Sequence, residues 1–250
     1  MKKFVFIVLL ALCAAPLIGA AGSGTAASGD ADRKVRPAHK TVTETREVRA
    51  FDGISATSGI VVLVRQADEH SVEVTADKNI IEYVLTETAA DGTLRIRYRE
   101  NLSFCGGTTT VVKVACPELT HLQATSGAEI TCTDLIEGEK LSVSATSASR
   151  IEGAVRYERL TVSTTSGADI TLTGRCANST VSATSGSETD LSALISKRAE
   201  ASATSGATVR ILAEELLEAK ATSGADIFYY GEPQLTDFSA SSGARIHKRL

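Results

Sequence analysis

Between Leu160 and Leu172 mostly apolar residues occupy every second position: Leu160, Val162, Thr164, Ser166, Ala168, Ile170 and Leu172. The residues between them, such as Ser163, Thr165, Gly167, Asp169 and Thr171, are polar, charged or glycine. A period of two is the mark of a β-strand with one side in a core and the other in water. The same alternation returns in Val181, Ala183, Ser185, Ser187, Thr189 and Leu191, and again in Ala203, Ser205, Ala207, Val209 and Ile211. It recurs in Ala221, Ser223, Ala225, Ile227 and Tyr229, and finally in Phe238, Ala240, Ser242, Ala244 and Ile246.

The alternation is tied to a repeated string, Ala-Thr-Ser-Gly or a near variant. Its serines are Ser58, Ser126, Ser147, Ser166, Ser185, Ser205, Ser223 and Ser242, spaced from Ser126 onward by 21, 19, 19, 20, 18 and 19 residues. A fixed short period built from strands means a solenoid, because one such unit cannot bury its apolar side alone. Stacking puts like residues in files: an Ala file, a Ser file, a second mostly Ala file and an Ile/Val/Leu file. Each buried Ile, Val or Leu contributes roughly 1.5–3 kcal/mol. At ~3.3 Å per residue a coil has a perimeter of about 60 Å and rises ~4.8 Å, which encloses packed side chains and no channel. The expected fold is an all-β, right-handed parallel β-helix of ~19-residue coils. The Thr-Ser-Gly step is read as a corner, since glycine tolerates φ > 0. The serines Ser126, Ser147, Ser166, Ser185, Ser205, Ser223 and Ser242 are read as a structural ladder, turned inward with hydroxyls satisfied on neighbouring backbone or on each other. A catalytic serine would not occur eight times.

The interval of 68 residues from Ser58 to Ser126 is too long for one coil. It contains strand-like runs at Gly59–Arg65, Ser71–Ala76, Thr93–Arg99 and Thr110–Ala115, a hairpin signal at Ala90-Asp91-Gly92, and a loop over Asn101–Thr109. Asp77–Leu85 reads as a short helix with Ile80, Ile81, Val84 and Leu85 on one side. The region is expected to cap the solenoid with antiparallel excursions. At the other end, His247, Lys248 and Arg249 place positive charge on an open edge, which discourages strand pairing there.

The start of the chain reads as a secretory signal over residues 1–21: Lys2 and Lys3, the apolar run Phe4–Leu12, then small residues around Gly19, Ala20 and Ala21. Cys13 follows Leu12, where lipoprotein processing needs a small residue, so no lipid anchor is expected. Residues 22–40 read as a flexible tether, 41–122 as the capping part and 123–250 as regular coils. No later stretch is long and apolar enough for a transmembrane helix. The net charge of −4 becomes −6 once Lys2 and Lys3 are removed. No basic stripe exists to meet phosphates, which argues against a nucleic-acid partner. Cys105, Cys116, Cys132 and Cys176 would then lie in an oxidising compartment. The sequence admits two readings of them: disulfides, with Cys105–Cys116 the first candidate, or four mostly buried free thiols. No Cys/His spacing suggests a metal, and no cofactor is expected.

The text Arg49-Ala50-Phe51-Asp52-Gly53-Ile54, then Ser58-Gly59 with Val61–Val64, Val72–Asp77 and Asp91–Ile96, followed by the Ser-Gly repeats, resembles the putative auto-transporter adhesin head GIN domain family. The resemblance spans Val42 to Leu250. It implies an exported bacterial β-helical domain and supplies no catalytic residues.

Candidate chemistry is sparse. His39, His70, His121 and His247 are scattered, away from any nucleophile and carboxylate. The file Glu129, Arg150, Asp169, Glu188, Thr208, Asp226 and Arg245 mixes both signs, as cross-strand charge pairing does, although β-helix enzymes that cleave glycans cluster carboxylates on such a face. Aromatic residues make up 4% of the chain and tryptophan is absent, which disfavours stacking on sugars; the Phe228-Tyr229-Tyr230 cluster reads as a core cover. The candidate binding face is the file Thr125, Thr146, Thr165, Thr184, Thr204, Thr222 and Ser241, with Ser144, Ser163, Ser182, Ser202 and Ser239 two positions earlier. These form a flat hydroxyl array spaced ~4.8 Å by ~6.7 Å. The expectation is a non-enzymatic module of the periplasm or cell surface that binds an envelope protein or polymer. The alternatives are a glycan-cleaving β-helix enzyme and a scaffold component of an envelope assembly.

Overall fold

The computed structural model describes residues 33–105 and 108–249; the expected signal segment and most of the expected tether lie outside them. The N-terminal strands are β1 (Arg33–Val35), β2 (Thr41–Arg46), β3 (Gly53–Ala56), β4 (Val61–Gln66), β5 (Ser71–Asp77), β6 (Val84–Thr88), β7 (Thr93–Tyr98), β8 (Leu102–Phe104) and β9 (Val111–Cys116). The repeat region follows as β10 (His121–Thr125), β11 (Glu129–Thr146), β12 (Arg150–Thr165), β13 (Asp169–Thr184), β14 (Glu188–Thr204) and β15 (Thr208–Ala221). The last coil holds β16 (Asp226–Tyr230), β17 (Leu235–Ala240) and β18 (Arg245–Lys248). Together they form a β-solenoid of about seven turns, each of roughly 19 residues.

Coil stacks on coil in parallel register. Val112, Val62, Ile130, Ile151, Ile170, Thr189, Val209, Ile227 and Ile246 make one continuous inward file. Leu94, Ile54, Leu122, Val143, Val162, Val181, Ala201, Ala219 and Phe238 make a second. These side chains are almost wholly excluded from solvent until the last coil, so burial of apolar surface supplies the main stabilisation. Thr189 interrupts the first file, and its hydroxyl is satisfied by the Thr164 hydroxyl at 2.6 Å.

The serine ladder lies elsewhere than expected. Ser126, Ser147, Ser166, Ser185, Ser205, Ser223 and Ser242 are exposed, with φ between 53° and 57°. The glycines that follow most of them have φ between 67° and 78°. Two successive left-handed residues make a type I′ turn, closed by the Ala168 N–H on the Thr165 carbonyl at 3.3 Å, with the same bond in neighbouring coils. Alternation therefore breaks at the serine, swings it to the outside of the corner, and resumes at the next alanine. At the corner the inward hydroxyls are those of Ser149 and Ser187, which replace that alanine in two coils. Ser149 Oγ donates to the Ala124 carbonyl at 2.8 Å and accepts the Thr146 N–H at 3.0 Å; Ser187 repeats this with Thr164 and Thr184.

The N-terminal part follows the strand expectations and departs on the helix. Ile81–Tyr83 forms a single 3-10 turn, and Val84 and Leu85 enter β6. So short an apolar stretch does not sustain a helix against a competing partner strand. Here β6 pairs antiparallel with β7 around the expected hairpin turn. Asp91 accepts the Thr93 N–H at 3.0 Å, and that bond holds its carboxyl below the usual range. Within the expected tether, β1 pairs with β8, which itself lies in the expected loop. The coil formed by β7 and β9 stacks beneath that of β3 and β4, although it comes later in the chain. Antiparallel strands then close this end: β6 lies on β7, β5 on β9, and β2 on β5.

All four described cysteines are free; Cys105 is exposed and Cys116, Cys132 and Cys176 are buried. The Cys105–Cys116 disulfide is therefore not formed, since Cys116 ends β9 inside the core while Cys105 follows β8 at the surface. Burial pushes the Cys132 thiol up to about 12, helped by Cys116, and the Cys116 thiol up to about 11, helped by the Asp52 carboxylate.

Two outcomes are expected. Of the four cysteines from Cys105 onward, Cys105 alone reacts with a thiol reagent at pH 8 before denaturation, and all four react after it. A Cβ on Gly167 meets no atom within 4 Å, whereas one on Gly174 (φ 113°) would lie 2.2 Å from the Val155 carbonyl oxygen. Gly167→Ala thus costs about 1–2 kcal/mol for a left-handed residue, and Gly174→Ala costs clearly more, measured from urea midpoints.

Candidate functional site

The candidate face is built by β10, the C-terminal halves of β11 to β14, the end of β15, and β17. Ladder pairing sets Thr125 beside Thr146, Thr146 beside Thr165, and Thr184 beside Thr204. Ser144, Ser163, Ser182 and Ser202 pair in order, then Lys220 stands between Ser202 and Ser239. That lysine interrupts the expected serine file. Thr125 to Thr204 are half-buried, while Thr222, Ser241 and Ser163, Ser182, Ser202 and Ser239 are exposed.

A third file, two residues earlier on the same side, runs His121, Ser142, Thr161, Thr180, Glu200, Glu218 and Asp237. The face is thus neutral and hydroxyl-rich in its middle and acidic toward β17.

The serines of the corners belong to this surface too. Within a coil the Thr and Ser hydroxyls lie 3.4 Å apart at Thr146–Ser147, Thr165–Ser166 and Thr184–Ser185, and 3.2 Å apart at Thr222–Ser223. Between coils the Thr204 and Thr222 hydroxyls approach to 3.3 Å. The result is a ridge two hydroxyls wide along the corner, flanked by the Ser file. Sequence reasoning missed the outer half of this ridge because it counted the serines as core; the signal present was the Ser-Gly pair, a dipeptide that marks turns.

Backbone bonding fixes the ridge. The corner amides of Gly127, Gly167, Gly186, Gly206 and Gly224 donate to the Ser147, Ser185, Ser205, Ser223 and Ser242 carbonyls of the next coil at 3.0–3.2 Å. Ala148 does the same to Ser166 at 3.2 Å, and Gly59 to Ser126 at 3.1 Å. The hydroxyls therefore stand on a backbone with its turn amides satisfied, an ordered rather than a mobile surface.

The remaining candidates form no reactive site. On the neighbouring face, Arg150 meets Asp169 at 3.2 Å and Glu152 at 3.8 Å, and Arg210 pairs with Glu188. Asp169 and Glu188 are neutralised across the strands and Glu152 along its own strand, instead of converging on a groove. His70 Nε2 lies 2.7 Å from the Phe51 carbonyl oxygen, to which the Nε2–H tautomer donates, and 3.2 Å from the Phe51 amide nitrogen, with the two rings edge to face. His121 lies on the hydroxyl face, and His247 stacks on Phe228 at the last coil. Of the aromatic cluster, Tyr229 packs on the core and leans on Phe238, whereas Phe228 stands in the outward file between Arg210 and His247. Tyr157 is buried and donates its hydroxyl to the Leu119 carbonyl at 2.8 Å; burial holds its phenol protonated above the usual range. Among the described residues no group of three or more His, Cys, Asp or Glu is placed to hold a metal. No described helix is long and apolar enough to cross a membrane.

Solved structures share this architecture. A putative adhesin from Bacteroides fragilis superposes with a TM-score of 0.81 at 16% identity, covering 86% of this chain and 100% of the other. A protein titled a putative lipid binding protein, from Parabacteroides distasonis, gives 0.74 at 17%, covering 87% and 100%. A putative adhesin from Parabacteroides merdae gives 0.69 at 16%, covering 87% and 99%. At such identities the likeness establishes the fold alone. No curated protein matches the chain. Residues 50–233 match the family model for the putative auto-transporter adhesin head GIN domain, and with nearly three quarters of its length so matched the chain belongs to that family.

Proposed function

We propose that this protein is a non-enzymatic binding module of the bacterial cell envelope, periplasmic or surface-exposed, and that its hydroxyl face and corner ridge hold an extended protein or polymer. The observation that carries the proposal is the ordered two-dimensional array itself: ridge pairs at 3.2–3.4 Å, repeated from coil to coil, beside the file Ser144, Ser163, Ser182 and Ser202. Hydroxyls both donate and accept, so such a surface meets any chain of alternating donors and acceptors. A rise of ~4.8 Å between coils lets an extended ligand bond repeatedly without deforming. The face offers neither a charge file in its middle nor aromatic platforms, so affinity would come from many weak bonds acting together. That suits adhesion to a repetitive envelope component better than capture of a small molecule. Membership in an adhesin-described family supports this reading, and the signal-like start of the sequence is consistent with it.

The face is tested by co-sedimentation with isolated bacterial envelopes. The triple variant Thr146→Glu, Thr165→Glu, Thr184→Glu should lose at least about tenfold in retention while unfolding at nearly the parental urea concentration. The control Thr171→Glu, Thr173→Glu, on another face, should be retained like the parent. Equal retention of both variants would remove the hydroxyl face from binding. Turnover of cell-wall glycans or polyuronides by the intact fold would favour the enzyme reading instead.

A further inference from the structure

The two ends of the solenoid differ. At the N-terminal end both faces of the lowest coil are sealed by antiparallel strands, β6 on β7 and β5 on β9. At the C-terminal end β17 pairs only with β15 and β18 only with β16, so their outer edges have no partner among the described residues. The core files reach the surface there: Phe238 continues the Val181–Ala201–Ala219 file yet is 40% exposed, and Leu235 at the start of β17 is 65% exposed. Free strand edges over exposed core side chains bind further strands.

Charge is divided between the two edges. The edge of β17 carries Asp237 below the acidic pair Glu200 and Glu218 of its file. The edge of β18 carries Arg245, His247 and Lys248. Lys248 is engaged by Glu232 at 2.6 Å, while Asp237 and Arg245 have no ionic partner among the described residues. The positive edge discourages pairing of β18 with another β18, where like charges would meet; pairing it with β17 sets opposite charges together.

We infer that a second copy of this chain closes the C-terminal end, coil face to coil face, with β17 of each copy antiparallel to β18 of the other. The geometry follows from the corner. The chain runs toward it in β17 and away from it in β18. A two-fold axis parallel to the plane of the last coil, half a strand spacing (~2.4 Å) beyond it and bisecting this corner, places the partner's β17 over β18, reversed in direction, and the partner's β18 over β17. One operation closes both edges, and the interface is isologous, so assembly stops at two. The register that sets inward residue against inward residue puts Phe238 opposite Ile246 of the partner subunit. It also puts Asp237 opposite His247 of the partner subunit and diagonal to Arg245 of the partner subunit, distances that long side chains span. The antiparallel closure repeats what the chain already does at its other end. The inference is independent of what the hydroxyl face binds.

Sedimentation velocity on the purified protein should give twice the single-chain mass at micromolar concentration. Asp237→Arg sets like charge against Arg245 of the partner subunit, and Arg245→Glu with His247→Glu sets like charge against Asp237. Each variant alone should weaken association at least about tenfold, with an unchanged β circular dichroism spectrum. Mixing the two variants should restore a dimer of one copy of each, because opposite charges then meet on both strand pairs. A parent protein that stays monomeric at about 100 µM would overturn the inference. So would a mass that keeps growing with concentration, or a mixture of variants that remains monomeric.

Discussion

The coil-to-coil hydrogen bond at the Ser-Gly corner is the constraint on which the rest of the structure depends. A solenoid must turn sharply in every coil without leaving the turn's backbone amides unpaired, since an unsatisfied amide costs about 1–3 kcal/mol. Here two left-handed residues make the turn, and the amide of the second reaches the serine carbonyl one coil above. The turn therefore belongs to the same ladder as the strands. Register passes through the corner unbroken, which is why Ile130, Ile151 and Ile170 lie over one another on one side and Val143, Val162 and Val181 on the other. Left-handed geometry disfavours most residues, yet Ala148 occupies the glycine position at φ 58°. The ladder bonds and the buried files over-determine the conformation there, which is how strained backbone persists in native proteins.

Much of this was legible in the chain. The period of two gave the inward sets, and the near-constant spacing of the serines gave the coil. Leu160, Val162, Ala168, Ile170 and Leu172 are buried as their parity requires. The serine between them is the exception, and the reason is geometric. A two-residue type I′ turn takes up two positions, so Thr164 and Ala168 keep the same parity while the serine between them swings outward. Counting by twos runs straight through the turn and cannot see it. The helix expected over Asp77–Leu85 failed for a different cause. Its apolar spacing was real, but Val84 and Leu85 gain a full strand partner in β7, and one turn of helix offers less. Nor could repeat-counting place the β7–β9 coil below the β3–β4 coil, because no Ser-Gly corner marks it. The charge file on the neighbouring face was readable in its mixed signs, and Arg150 pairs with Asp169 as those signs suggest, while Glu188 pairs with Arg210, which lies outside that file.

Structure and proposed role join at the same corner. The turn that lets the coil close also ejects a serine from the core and sets it beside a threonine, coil after coil. A residue chosen for turning thus becomes a residue available for binding, and the ladder that satisfies the backbone holds the hydroxyls at a fixed spacing. The same periodicity creates a liability: a stack of identical edges must end somewhere. Antiparallel strands end it at one side, and the divided charge of β17 and β18 shapes what is able to end it at the other.

Native-state hydrogen exchange at the corner glycines tests the central claim most directly. The residues Gly127, Gly167, Gly186 and Gly206 are exposed to solvent, so a turn held only by its own coil would exchange as fast as an unstructured chain. If each amide is bonded to the next coil, these glycines exchange only when coils separate, with protection close to that of the buried strand amides beside them. Fast exchange at those glycines, with slow exchange in the flanking strands, would contradict the account.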